Sequence, residues 1–286
     1  MQPYEPLLNQ LSAFGRSDAT AQSVCAAEME KAAQDIQNVT RIPLMTDQHM
    51  SQVAELLETF PPASRATKAL LSFLSSLCLA DENRIMAVRF GVPSTCVVLL
   101  QNTEELLADT LYYIFDLAST LSANDGSARD ALRPSIPYII TALERQKDVV
   151  DVVLGGAISL STLSMLNVAN CELIIARGGF QTLVNTYMNI SQLLTAHRQK
   201  KKTKGEGASF RAAEEKDQST LYTYENTLFW IKDALLKLCH ADIPAVDEAI
   251  KSANYGLYGQ SILMDELKWS LTFERKKLKQ KGTLKG

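Results

Sequence analysis

The chain has 286 residues, 46% hydrophobic and 21% charged, with a formal net charge of −3. That balance suits a protein that buries a core, and the charge says almost nothing about partners. No stretch approaches the roughly 18 apolar residues needed to cross a bilayer, and MQPYEPLLNQ lacks the basic start and apolar run of a signal peptide, so neither a membrane span nor a secretory leader is expected.

Residues Pro6–Phe14, Asp18–Val39 and Asp47–Phe60 read as three helices, the last opened by Thr46 or Asp47 and stopped by Pro61-Pro62. Ser64 is placed to cap a helix through Leu79 that carries Ala69, Leu70, Phe73, Leu74 and Leu77 at helical spacing. A short helix over Glu82–Phe90 follows, then a turn at Gly91, a second helix over Val92–Leu100 and a long third helix over Glu104–Leu121. The same order returns as Ser127–Leu132, Pro134–Leu143 and Lys147–Leu166, and again as Cys171–Ala176, Phe180–Ala196 and Thr220–Cys239. A further turn at 255–259 and a last helix over Gln260–Gln280 are expected at the end.

This order is a repeat. Shifting Leu74–Leu100 forward by about 44 positions lays Leu74-Ser75-Ser76-Leu77 on Ala118-Ser119-Thr120-Leu121, and a further shift of about 43 aligns Asn83 with Asn170 and Gly91 with Gly178. A weaker fourth copy starts at Ala234. Short, medium and long helices in succession, with Asn-x-x-Ile ahead of a Gly at Asn83–Leu100 and Cys171–Val184, resemble the armadillo repeat. The resemblance implies an all-α fold: a right-handed α-α superhelix, or solenoid, of about four repeats with helical caps at both ends. Residues 1–62 would be the N-terminal cap, 63–262 the repeats, and 263–286 a C-terminal helix with a basic tail. Residues 197–219 are polar and charged and read as a mobile insertion.

The chemistry-bearing residues point away from catalysis. Phosphate-loop, Gly-x-Ser-x-Gly and His-Glu-x-x-His patterns are absent, and His49, His197 and His240 read as capping or solvent-facing side chains. Cys25, Cys78, Cys96, Cys171 and Cys239 are widely spaced, so they read as packing residues kept reduced, with no metal and no cofactor expected. Asn38 and Asn189 open glycosylation triplets that read as chance matches.

The third helices carry the candidate site. With Leu106, Leu107, Leu111, Ile114 and Leu121 toward the core, Glu105, Asp109, Tyr112 and Asp116 form a stripe on the open side. The matching stripes are Asp148, Asp151, Gly155 and Thr162, then Asn226, Asp233 and Lys237. The resulting groove is mildly acidic and suits a protein partner with a basic or extended segment. Nuclear-import adaptors of the armadillo class use a Trp and an Asn four residues later on each third helix. Here those positions hold Ser72 and Ser76, Tyr112 and Asp116, Ile158 and Thr162, and Asp233 and Lys237, which argues against that peptide mechanism. Two basic runs, Lys200, Lys201, Lys202 and Lys204, and Arg275, Lys276, Lys277, Lys279 and Lys281, are candidate contacts for an acidic surface or nucleic acid; the first also reads as a localisation signal or a self-ligand.

The function expected is that of a non-enzymatic adaptor or scaffold in a larger cytoplasmic assembly, with nuclear or cytoskeletal association open. The alternatives are a regulator of an enzyme, such as a chaperone nucleotide-exchange factor, and a nucleic-acid-associated subunit.

Overall fold

The computed structural model describes residues 5–14, 19–101, 106–203 and 210–241, together with 246, 248, 250, 263, 265, 267–269 and 272. All regular structure among them is helical: α1 Glu5–Phe14, α2 Ala19–Gln37, α3 Asp47–Thr59, α4 Arg65–Leu77, α5 Asp81–Arg89, α6 Val92–Gln101, α7 Ala108–Ser122, α8 Gly126–Ala131, a 3-10 turn at Arg133–Ser135, α9 Ile136–Arg145, α10 Val150–Ser164, α11 Val168–Ala176, α12 Gly179–Thr203 and α13 Phe210–His240. The chain divides into two compact units, Met1–Ile139 and Ile140–Gly286, with the boundary inside α9.

The expected stop and start signals act locally. Thr46 and Ser64 cap α3 and α4 through their hydroxyls, which accept the amides of His49 and Thr67. Gly91 and Gly178 both take the left-handed backbone conformation, with φ of 81° and 77°, at the sharp turn between the first and second helices of their repeats.

In the first unit α2 lies beside α4 and α4 beside α7, while α1, α3 and α6 follow one another behind them. The pair α1–α2 therefore packs as the second and third helices of a repeat do. Leu70, Phe73, Leu74 and Leu77 of α4 and Leu111, Ile114, Phe115 and Leu121 of α7 are wholly buried, each contributing about 1.5–3 kcal/mol by leaving water. In the second unit α10 packs against α11, α12 and α13. Its sequence, VDVVLGGAISLSTLS, is apolar nearly all round, and it is buried nearly all round.

A third helix that ends inside the fold leaves carbonyls without intrahelical partners. The short helix that follows supplies the donors. Asn83 of α5 donates to the Leu77 carbonyl at the end of α4 and to that of Pro43, while its Oδ1 accepts the Met45 amide. Asn170 of α11 donates to the Leu163 carbonyl of α10 at 2.9 Å. Between them in sequence, the Arg129 guanidinium of α8 reaches the Ser122 carbonyl of α7 at 2.8 Å. The Asn83–Asn170 correspondence is visible in the sequence; Arg129 replaces that amide with a longer donor from a different position, which sequence alignment of the repeats passes over.

Four expectations need correction. Leu107 is 58% exposed because it is the extended N-cap residue of α7 and so precedes the helical face on which Leu111 and Ile114 point inward. The polar stretch 197–219 is helical over 197–203 and 210–219, as the ends of α12 and α13; its Ala, Glu, Lys and Gln content favours helix even without apolar residues. The third helix expected over Lys147–Leu166 begins only at Val150. His49 is buried in the first turn of α3 instead of facing solvent. The expected turn at 255–259 and most of the last helix lie outside the described residues.

Two changes test these local arguments by urea unfolding. Asn83→Ala strands buried groups in three segments and is expected to cost about 3 kcal/mol. Leu166, 96% exposed just after α10, has a left-handed φ of 51° that leucine rarely adopts; Leu166→Gly is expected to stabilise by about 1 kcal/mol, and a loss of stability would show that the leucine is not strained there.

Candidate functional site

In the first unit, α2, α4 and α7 run side by side in parallel and are joined by side-chain bridges. Arg65 of α4 pairs with Glu30 of α2 at 2.8 Å, and Gln37 of α2 donates to Ser76 at 3.0 Å. Lys68 of α4 pairs with Asp109 of α7 at 2.5 Å, and near the end of α4 Ser75 donates its hydroxyl to Asp116. Between these bridges the open surface is lined by Ser72 and by half-buried Tyr112, whose ring meets Tyr113 edge-on at 5.5 Å.

The electrostatics differ from a simple acidic stripe. Burial acts to raise the Asp109 pKa, but the Lys68 ammonium and the Thr110 amide outweigh it and hold the carboxyl below its usual range. At Asp116 burial dominates and raises the pKa, against a smaller lowering by the Ser75 hydroxyl. Asp109 is thus a neutralised partner, while Asp116 is an ionisable group held between two helices.

The second unit repeats the device. Ser161 of α10 donates to Asp233 of α13, and Lys237 reaches both Asp233 and Ser161 at 2.6 Å. Ser75 and Ser161 stand at the same register of their repeats. Asn226 lies half-buried on the same side of α13. Asp151 is exposed in the first turn of α10, but Asp148 precedes that helix and accepts a hydrogen bond from Asn189 of α12 at 3.2 Å. Thr162 and Gly155 are buried, with the Thr162 hydroxyl turned to the Ser159 carbonyl. Because α10 is apolar on nearly every side, its periodicity does not mark the face that stays open. Elsewhere in this unit, Glu144 accepts from Thr182 at 2.8 Å beside a cleft of about 250 Å³ between α9 and α12, below the usual range for small-molecule sites.

Lys200, Lys201 and Lys202 fall on the last turns of α12. Glu105, Lys204, Arg275, Lys276, Lys277, Lys279 and Lys281 lie outside the described residues. The five cysteines are buried and unbridged; burial pushes the thiols of Cys78 and Cys96 up to about 12 and that of Cys171 to about 11, far from reactive thiolates. Among the described residues no three His, Cys, Asp or Glu side chains gather as metal ligands, and no single helix is long and apolar enough to cross a membrane.

No family model and no curated protein matches the chain by sequence. By structure it is similar to a designed armadillo repeat protein, with a TM-score of 0.50 at 12% identity over 82% of this chain and 98% of that one. The fold is armadillo-like. An engineered protein solved by the Northeast Structural Genomics Consortium is also similar, with a TM-score of 0.58 at 14% identity over 95% of this chain and 96% of that chain. At such identities the likeness concerns the backbone. The third helices α4, α7, α10 and α13 are accordingly the long helices of an armadillo-like repeat.

Asp116 makes the site sensitive to pH. Its folded pKa lies above the ordinary aspartate value of about 3.9, so the folded state holds the proton more tightly than the unfolded chain. The ionised carboxylate therefore costs stability at neutral pH, and the cost fades as pH falls through the raised pKa toward the ordinary value. Asp116→Asn keeps an acceptor for Ser75; it is expected to melt higher than the wild type at pH 7, with the gap closing on acidification. A gap independent of pH would remove burial of the charge as its cause.

Proposed function

We propose that this chain is a non-enzymatic adaptor that docks a protein partner on the open face of its third helices. The observation that carries the reading is the alignment of α4 with α7 by Lys68–Asp109 and Ser75–Asp116, which fixes a polar surface with Tyr112 in its middle before any partner arrives. A surface held by its own cross-links loses little conformational freedom on binding. Tyrosine in such a setting offers a large rigid contact and one hydroxyl. The armadillo-like fold supports the reading, since a stack of helical repeats offers an extended surface for another protein.

The partner chemistry differs from that of an open acidic groove. Asp109 and Asp233 each have a lysine beside them, so the partner would be recognised by shape and hydrogen bonding around Tyr112 and Ser72, with Asp116 the main anionic element. The cytoplasm is the compartment that goes with this proposal, and the unbridged cysteines fit a reducing environment.

Charge reversal at Asp109 and Asp116 would cut the bonds between α4 and α7, so the face is better tested with Tyr112→Ala and Ser72→Arg. Affinity capture from the source cell extract, read by mass spectrometry, is expected to return a stable protein set with the wild type, reduced about tenfold or more by the pair of changes while the melting temperature stays the same. An unchanged set would remove the face from consideration. A nucleotide-release assay with a chaperone ATPase separates an adaptor from a regulator: the adaptor leaves the release rate unaltered.

A further inference from the structure

The two units carry the same device with one difference. In the second unit Ser161 of α10 donates to Asp233 of α13, and Lys237, one turn beyond Asp233, places its ammonium 2.6 Å from both the serine oxygen and the carboxylate. In the first unit Ser75 of α4 donates to Asp116 of α7, and the residue one turn beyond Asp116 is Thr120, whose hydroxyl lies 3.4 Å from that of Ser75. The serines match by position, since each stands two residues before the leucine whose carbonyl the following asparagine caps. Thr120 thus occupies the register of Lys237 and brings an oxygen where the second unit brings a cation. Among the described residues no basic side chain pairs with Asp116, whereas Asp109 and Asp233 each have a lysine.

The oxygens left at Asp116 suit one kind of ligand. With its hydrogen given to Asp116, the Ser75 hydroxyl offers only lone pairs, as does the carboxylate, and the Thr120 hydroxyl can turn to do the same. Three acceptors thus stand together, matching the three N–H bonds of an ammonium. A guanidinium fits less well, because its flat fork takes both oxygens of a carboxylate and Ser75 already holds one of them. Asp116 and Thr120 are half-buried on the open face, so a side chain reaches them from solvent. Burial without a counter-charge raises the Asp116 pKa, and a cation brought to such a carboxylate gains more than it would at a fully wet one. We infer that the partner protein seats a lysine ammonium on Asp116, Ser75 and Thr120, in the place that Lys237 fills within the second unit, an assignment that rests on the docking face proposed above. The carbon stem of that lysine runs toward Tyr112, one turn earlier on α7.

Carbodiimide cross-linking, which joins a carboxylate to an amine in direct contact with it, tests this on the full-length chain with the protein set it captures from the source cell extract. Digestion and mass spectrometry are expected to show Asp116 in amide linkage to a lysine of a captured protein, with the Asp233–Lys237 link as internal control for the reaction. Thr120→Lys supplies the ammonium from within the chain. It is expected to melt higher than the wild type at pH 7, with the gain absent on an Asp116→Asn background, and to reduce capture about tenfold or more. Thr120→Gln adds comparable bulk without charge and is expected to keep most of the capture. A set lost with Tyr112→Ala and Ser72→Arg but untouched by Thr120→Lys overturns the lysine and leaves the face standing. A set that responds to neither change, or no set at all, overturns the face and the inference with it. Equal loss in Thr120→Gln makes bulk the cause and overturns the inference, as does an Asp233–Lys237 link without one at Asp116. A melting temperature unmoved by Thr120→Lys shows that the three oxygens do not hold an ammonium, and Asp116 linked to a small free amine gives the place to a polyamine; either result overturns it too.

Discussion

The third helices α4, α7 and α10 end against protein, and their last carbonyls must find donors there. Water cannot serve a buried helix end, and an unpaired buried carbonyl costs on the order of 1–3 kcal/mol. Asn83, Arg129 and Asn170 meet this need from the short helix of the following repeat. One hydrogen bond thereby fixes where a helix stops and where the next unit begins. The left-handed turns at Gly91 and Gly178 then redirect the chain into the second helix, and the apolar faces of the long helices follow into register.

A second set of bonds acts across the repeats. Lys68–Asp109, Ser75–Asp116 and the Ser161–Asp233–Lys237 cluster tie neighbouring long helices at points facing away from the core. The Lys68–Asp109 pair is exposed, and such pairs contribute in general about 0–1 kcal/mol, while the bonds of Ser75 and Ser161 are part-buried; the effect they share is geometric. They set which side chains stand beside one another on the open surface, and they consume acidic groups that would otherwise attract basic ligands. Asp109 and Asp233, each with a lysine beside it, therefore serve as mortar and not as an anionic binding stripe.

Much of the fold is legible in the sequence because the signals are short-range. Ser64, Thr46, Gly91 and the alternation of short, medium and long helices each follow from the chemistry of a few neighbouring residues. The open face is less legible. Asp109, Tyr112 and Asp116 share one side of α7, but Lys68 and Ser75, the partners of the two aspartates, lie about 41 residues away on another helix, and nothing local announces the pairing. Thr162 illustrates a different limit: on a helix apolar all round, polarity alone does not say which way a hydroxyl points, and a threonine can satisfy itself on its own backbone. The helical stretches 197–203 and 210–219 show that a polar run is not by itself a break in structure, since charged residues with high helix propensity can lengthen a helix beyond the body it packs on.

The direction of the carbonyl caps also bears on synthesis. Every donor lies C-terminal to the helix it closes: Leu77 waits for Asn83, Ser122 for Arg129 and Leu163 for Asn170. On a ribosome, where the N-terminal part emerges first, a long helix leaves the exit tunnel before the residue that seals it. The growing chain therefore carries one unfinished end at every stage, a moving seam that closes behind itself and is never more than one repeat deep.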